Sequence, residues 1–241
     1  MKRGIDKVHK KHRDQEIAVI IPCAGSGKRM KSYGPKSLIN IGQKTIIENQ
    51  IETIYRVFPK AKITVVCGFE SIKLMSHIPD DIIKIENENY IENNVIRSIA
   101  MGMRANESAS NVLIMYGDLL CNQKSLEMIN TNKSCIVISD HMTANEVGCN
   151  IHPDNTQLEY MMYDLPNKWG QLLHLTSKEL KMFKRKIFSR KYDKKFCFEM
   201  INQIIDENGK FLTIIDHEIM TFDIDTTKDL KIAKERYAHN F

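Results

Sequence analysis

The sequence predicts an α/β fold with a mostly parallel central sheet, and three observations predict it. Residues Ile17 to Ile21 are aliphatic and mostly β-branched, which on so short a run reads as a strand buried on both faces. Ile47, Ile51, Ile54 and Phe58 recur at helical spacing, giving the apolar stripe of a helix from about Thr45 to Phe58, which Pro59 stops. Lys62 to Cys67 is a second strand, ended by Gly68. Strand, helix and strand in this order form a parallel βαβ unit with a right-handed crossover.

The first strand runs into Cys23, Ala24, Gly25, Ser26, Gly27, Lys28 and Arg29, with Lys36 close behind. Gly25 and Gly27 let the chain turn sharply and bring backbone N–H groups to one anion, while Lys28, Arg29 and Lys36 add full positive charges. Together they form a site for polyphosphate. Two common phosphate loops are excluded. A P-loop needs glycine where Pro22 stands and Ser or Thr where Arg29 stands. A dinucleotide fingerprint needs a small residue at the long Met30 and an acid to hold a ribose, for which Glu48 is a poor match.

The 241 residues and 42% apolar content suit one large α/β domain, residues 16–241, behind a solvated basic tail at 1–15. The charge balance, 35 basic against 30 acidic residues, is too even to argue for nucleic acid as a partner and suits a small anionic substrate. The longest apolar runs are shorter than a membrane span and the N-terminus lacks the apolar core of a signal peptide, so no membrane partner and a cytoplasmic location are expected. The six scattered cysteines contain no CxxC pair and read as reduced, buried thiols, and the histidines form no local zinc pattern.

Further along, Asn93 to Arg104 reads as a helix with Val95, Ile96, Ile99, Ala100 and Met103 on its inner face. Asn94 and Ser98 look out from one side of it, where an amide and a hydroxyl can read a base edge; Asn93 or Asn94 can equally cap the helix. Asn111 to Tyr116 is an apolar strand ending in Gly117 and Asp118, and ligands of open α/β sheets gather at the carboxyl ends of strands. A short helix from about Gln123 to Ile129 and a strand from Ser134 to Ser139 follow. Beyond them Cys149 to Met162 and Trp169 to Leu175 read as strands separated by Pro153, Pro166 and Gly170. Ser177 to Asn208 is basic at first and then a helix carrying Phe198, Ile201, Ile204 and Ile205. Residues 141–215 are read as an insertion walling the acceptor side of the cleft. Glu218 to Ile224 is strand-like, Asp223 and Asp225 share one face, and Thr226 caps a helix from Lys228 to Tyr237. One of these carboxylates can join Asp118 around a cation, and hard oxygen ligands suit Mg²⁺.

The run PCAGSGKRM with Pro35-Lys36, YIENNVIRS at 90–98, YGD at 116–118 and FDIDTTKDL at 222–230 resembles the nucleotidyltransferases that make nucleoside-diphosphate-linked metabolites. IDTTKDL looks closest to the cytidylyltransferase branch. The resemblance spans Ile17 to Tyr237 and implies a three-layer Rossmann-like sandwich of the GT-A-like kind. It implies a phosphate loop at Ala24 to Arg29, Arg29 and Lys36 as catalytic cations, and Asn94 and Ser98 at the base and sugar. It further implies Asp118 and Asp225 as magnesium carboxylates, with Asp223 at a position often acidic in relatives. A homodimer and a role in surface-polysaccharide or phospholipid precursor synthesis are compatible with it.

The implied reaction is attack by a small phosphorylated metabolite on the α-phosphorus of CTP, releasing pyrophosphate. Phosphocholine, phosphoethanolamine, aminoethylphosphonate and phosphorylated amino acids or amides such as phosphoglutamine are candidate acceptors, and Trp169, Tyr160 and Tyr163 could wall a quaternary ammonium group. The alternatives are transfer to a sugar 1-phosphate from UTP or dTTP, a nucleotide-sugar glycosyltransferase using Asp223-Ile224-Asp225, and a non-catalytic nucleotide-binding module.

Overall fold

The computed structural model describes residues 14–27, 30, 34–139, 146–154 and 156–237, so nearly all of the basic tail expected at 1–15 lies outside the described residues. β1 (Ala18–Cys23) is buried along its whole length. A small hairpin, β2 (Asn40–Ile41) and β3 (Lys44–Thr45), leads into α1 (Ile46–Val57). Thr45 caps α1: its hydroxyl accepts from the Glu48 N–H, and the Glu48 carboxylate accepts from the Thr45 N–H at 2.7 Å. Such a box satisfies two donors that the first turn cannot satisfy internally. β4 (Lys62–Cys67), the short α2 (Ser71–Met75) and the edge strand β5 (Ile83–Glu86) follow.

α3 (Val95–Ala105) precedes β6 (Asn111–Met115), β7 (Leu119–Cys121), α4 (Gln123–Glu127) and β8 (Cys135–Ser139). β9 (Val147–Ile151) and β10 (Leu158–Tyr163) form a hairpin with Pro153 in its turn, and β11 (Asn167–Thr176) crosses back through the sheet. Gly170 does not separate strands as the sequence suggested; it lies inside β11, where the pairing with β8 shifts register between Trp169 and Leu173. The basic stretch after it is itself a helix, α5 (Ser177–Ile187), with Leu180, Phe183 and Ile187 buried at helical spacing. α6 (Cys197–Asp206), β12 (Leu212–Ile214), β13 (Thr221–Asp223) and α7 (Thr227–Tyr237) complete the chain.

Among the described residues the main sheet has nine strands, in the order β10-β9-β11-β6-β1-β4-β5, with β8 on β11 and β12 on β8. β5, β4, β1 and β6 run parallel. β8 and β9 each oppose β11, which opposes β6, so both point the same way as β6, as does β12. Only β11 and β10 run against the rest, and the sheet is mostly parallel, as the sequence predicts. The residues from 146 to 214 that the sequence sets apart as an acceptor wall thus contribute strands to this same sheet.

Side chains of β1 alternate between two cores. Val19 and Ile21 pack with Ile47, Ile51 and Ile54 of α1, whereas Ala18 and Ile20 pack with Ile96, Ile99 and Met103 of α3 and with Phe183 and Ile201 behind them. Helices therefore cover both faces and give three layers; each buried Ile or Leu contributes about 1.5–3 kcal/mol. A third, smaller core joins Met30, Ile39 and Ile41 to Ile224, Leu230 and Tyr237, fastening α7 to the chain after the glycine turn. All six cysteines are buried and unbridged, in line with their scattered spacing. No helix among the described residues is long and apolar enough to cross a membrane.

Candidate active site

A cavity of about 920 Å³ opens at the carboxyl ends of β1 and β6, within the usual size of small-ligand sites. Its floor is the turn from Cys23 to Gly27 with Lys36, and Asn94, Ser98, Gly117, Asp118 and Asp225 line it too. Lys28 and Arg29, expected to carry positive charge here, lie outside the described residues. Gly27 has φ +55°, and its carbonyl accepts from the Met30 N–H at 2.7 Å. Met30 is buried in the third core and so anchors the far end of the turn. A Cβ on Gly117 would stand 2.2 Å from Cys23 Sγ, so only glycine lets β6 end this close to the turn. Burial, with Cys67 beside it, pushes the Cys23 thiol well above its ordinary value, which leaves it inert as a nucleophile.

Lys36 is the centre of the arrangement. It starts a 3₁₀ turn directly after Pro35, and its Nζ donates to Asp118 Oδ2 at 2.9 Å and to Asp225 Oδ1 at 2.5 Å. Two residues so distant in sequence meet because β7 and β13 form a second ladder, with Asp223 opposite Leu119 and the Ile224 N–H donating to the Asp118 carbonyl at 3.1 Å. Asp229 then accepts from the Asp225 N–H at 3.2 Å and from Thr226 Oγ1 at 2.8 Å, holding the start of α7 against the site. Burial pulls the Lys36 ammonium down, but Asp118 and Asp225 together outweigh it and hold the ammonium above its ordinary value. Burial also raises the Asp118 carboxyl, with Lys36 opposing that shift.

Asp223, grouped with Asp118 and Asp225 at the sequence level, has a different partner. Its carboxylate receives a short hydrogen bond from Lys168 Nζ and one of 3.1 Å from Gln171 Nε2, and Lys168 also stands 3.6 Å from Glu146. The Lys168 and Asp223 side chains are 7% and 4% exposed, against 14%, 23% and 22% for Lys36, Asp118 and Asp225. Glu146, Asp223 and Asp225 bring carboxylate oxygens within 4.8 Å of one another, a grouping able to hold a metal ion. Glu146, Lys168 and Gln171 were not singled out from the sequence. Lys168 does leave a trace there, as the one lysine in the strand-like run NKWGQLLHL, and a buried lysine implies a carboxylate partner.

On the opposite wall Asn94 does both things its position allows: it lines the cavity, and its Oδ1 accepts from the Val95 N–H at 2.8 Å as the α3 cap. Ser98 is buried, and its Oγ accepts from Asn87 Nδ2 at 3.0 Å; the same amide donates to Asn93 Oδ1 at 3.0 Å. Asn87 and Asn93 also line the cavity and were missed as site residues, because Asn87 follows β5, an edge strand too short to stand out by pattern. Of the proposed aromatic wall, Tyr163 alone lines the cavity. Trp169 is 4% exposed, packs edge-on against Tyr116 at 5.5 Å and donates from Nε1 to the Leu172 carbonyl, so it is core. Tyr160 is exposed but does not line the cavity, and Phe196, unremarked in the sequence, does.

Residues 19–138 match the MobA-like NTP transferase domain. The Bifunctional protein GlmU of Buchnera aphidicola subsp. Acyrthosiphon pisum (strain Tuc7) is 33% identical over 105 residues, covering 44% of this chain, and the chain spans only 22% of that relative's length. Among solved structures, the CTP:phosphocholine cytidylyltransferase from Streptococcus pneumoniae aligns with a TM-score of 0.72 at 18% identity, covering 91% of this chain and 98% of that one. The nucleoside-diphosphate-sugar pyrophosphorylase from Vibrio cholerae RC9 aligns at 0.69 and 12% identity, covering 90% and 100%. At these identities the likeness is one of fold.

Proposed function

We propose, for a chain that belongs to the MobA-like NTP transferase domain family through residues 19–138, that it transfers CMP from CTP to a small phosphorylated metabolite and releases pyrophosphate. The observation that carries the reading is Lys36 Nζ held between Asp118 and Asp225 beside the glycine turn. We read residues 16–241 as one catalytic domain, with the stretch from 141 to 215 walling the acceptor side.

An oxygen of the acceptor phosphate attacks the α-phosphorus in line. A P–O bond forms there as the α–β bridging P–O bond breaks, and its electron pair leaves on pyrophosphate. The acceptor phosphate is already ionised near neutral pH, so no protein base or nucleophile is required. The chain's part is to hold two anions together, with Lys36 placed where negative charge develops and Arg29, Lys28 and the loop from Cys23 to Gly27 around the triphosphate.

The donor set fits Mg²⁺. Asp118, Asp223, Asp225 and Glu146 offer hard carboxylate oxygens, with no histidine or thiolate among the clustered groups. Asp118 and Asp225 face the cavity and would hold the ion, while Asp223 is tied to Lys168. When bound, Mg²⁺ supplies charge neutralisation on the phosphates.

A second reading, transfer from UTP or dTTP to a sugar 1-phosphate, draws on the Asn87, Asn93 and Ser98 network, whose amides and hydroxyl can meet the edge of any pyrimidine. Pyrophosphate release with Mg²⁺, scanned over CTP, UTP, dTTP, ATP and GTP against phosphorylated amines, amino acids and sugars, separates the two. Release confined to CTP is expected; release with UTP or dTTP and a sugar 1-phosphate alone would replace the first reading by the second.

A further inference from the structure

We infer that Gln50 is a positioning residue: from the buried stripe of α1 its side-chain amide grips both ends of the turn that carries Asp118, and so sets where that carboxylate meets a metal ion. This rests on the nucleotidyltransferase reading and adds a residue to its site. Gln50 follows Ile47 by three residues and precedes Ile54 by four, so it shares their inward face, and it is 2% exposed. Its Nε2 donates to the Tyr116 carbonyl and to the Leu119 carbonyl, each at 2.7 Å. Two carbonyl acceptors fix the orientation of the amide, because only its nitrogen end can serve them. The oxygen end, Oε1, is buried with no partner among the described residues. Packing alone would be better served by Leu, which buries no unpaired acceptor; what Gln50 adds is the grip on the turn.

Tyr116 to Leu119 form a tight turn, in which the Leu119 N–H donates to the Tyr116 carbonyl at 3.2 Å. Its other sides are held by strands. The Gly117 N–H donates to the Pro22 carbonyl of β1 at 3.2 Å, and the Asp118 carbonyl accepts from the Ile224 N–H, just beyond β13, at 3.1 Å. Gln50 closes the side that faces α1. The helix itself is fixed by its capping box and by Ile47, Ile51 and Ile54 in the core, so the amide passes that rigidity to the turn. Gln50 does not line the cavity and touches no ligand; it acts from behind, through the backbone of Asp118. Mg²⁺ demands near-ideal octahedral geometry, so a carboxylate on a loosened turn binds it less well.

Gln50→Leu keeps the volume and removes both donors. Mn²⁺ titrated into the protein, with the free ion counted by electron paramagnetic resonance, should bind roughly tenfold more weakly in this variant, the low end of what losing an outer-shell partner costs. The Mg²⁺ concentration for half-maximal pyrophosphate release should rise by the same factor while the acceptor KM stays put. Ile47→Val trims the same helix face without touching the turn; it should lower the melting temperature and leave Mn²⁺ binding at the wild-type value. Unchanged Mn²⁺ binding in Gln50→Leu, or equal weakening in Ile47→Val, overturns the inference and makes Gln50 a packing residue. If Gln50→Leu does not fold, Gln50→Met repeats the comparison, and failure of both to fold likewise overturns it. Absence of pyrophosphate release with every substrate pair ends the transferase reading alone, because weakened Mn²⁺ binding in the variant still sustains the grip on Asp118. A wild-type chain that binds no Mn²⁺, with or without CTP, overturns the inference.

Discussion

Lys36 and Lys168 each stand between two carboxylates, and their partners Asp225 and Asp223 bring oxygens within 4.8 Å of each other, yet their surroundings differ. The Lys36 group borders the cavity with side chains 14–23% exposed, whereas Lys168 and Asp223 are almost sealed at 7% and 4%. A charge pair at a cavity can exchange partners with an incoming phosphate or metal ion at small cost, because water and ligand can replace what is lost. A sealed pair cannot, since removing either member strands the other in a low dielectric. On the proposed function the same chemistry serves binding in one place and architecture in the other, and burial decides which.

Three experiments break or sharpen that contrast. The largest effect should come from Asp118→Asn, which keeps the shape and removes the charge. Metal-dependent turnover should disappear while the melting temperature hardly moves, and wild-type-like turnover would sink the assignment. Lys36→Met should act in the same sense, costing about 2–4 kcal/mol in the barrier.

Next in size is Lys168→Met, which leaves Asp223 buried without its cation. It should cost about 3–5 kcal/mol of stability in denaturant unfolding, and much of the loss should return in Lys168→Met/Asp223→Asn. A loss confined to turnover, with stability intact, would mean that Lys168 belongs with Lys36 after all.

The smallest effect is in the pH profile. Burial lowers the Lys168 ammonium, but Asp223 and then Glu146 outweigh it and hold it above its ordinary 10.5. A raised lysine binds its proton more tightly in the folded state, so its contribution is fully present below pH 10.5 and is lost as pH rises through the folded value. Melting temperature should fall in that alkaline window, and less steeply in the double variant. Parallel slopes in the two proteins would show that the alkaline loss arises elsewhere.

Much of this was legible in the residues. The run from Ile17, the helix after Thr45 and the strand ending at Cys67 appear within a residue or two of their expected places, because short apolar runs and helical stripes are local signals. Asn94 proved to be a cap as well as a cavity residue. Other features had no local signature. Trp169 could have been a ligand wall or core in the sequence and is core, since its exposure depends on which face of β11 meets α5 and α6. Phe196 carries no signal in the sequence and lines the cavity. Glu146 and Asn87 carry no pattern of their own and become site residues only through what the fold sets beside them.

By itself the sequence determined the α/β class, the glycine turn with its cations and the acidic strand ends, each written in neighbouring residues whose periodicity or backbone freedom follows from covalent geometry. Only the tertiary structure decided which carboxylate faces the cavity. Asp223 and Asp225 are chemically equal and two residues apart, but the β7–β13 ladder and the crossing of β11 turn one toward Lys168 in the interior and the other toward Lys36 at the open edge. The cost of burying a charge depends on partners distant in sequence, so the choice appears only once the sheet has closed.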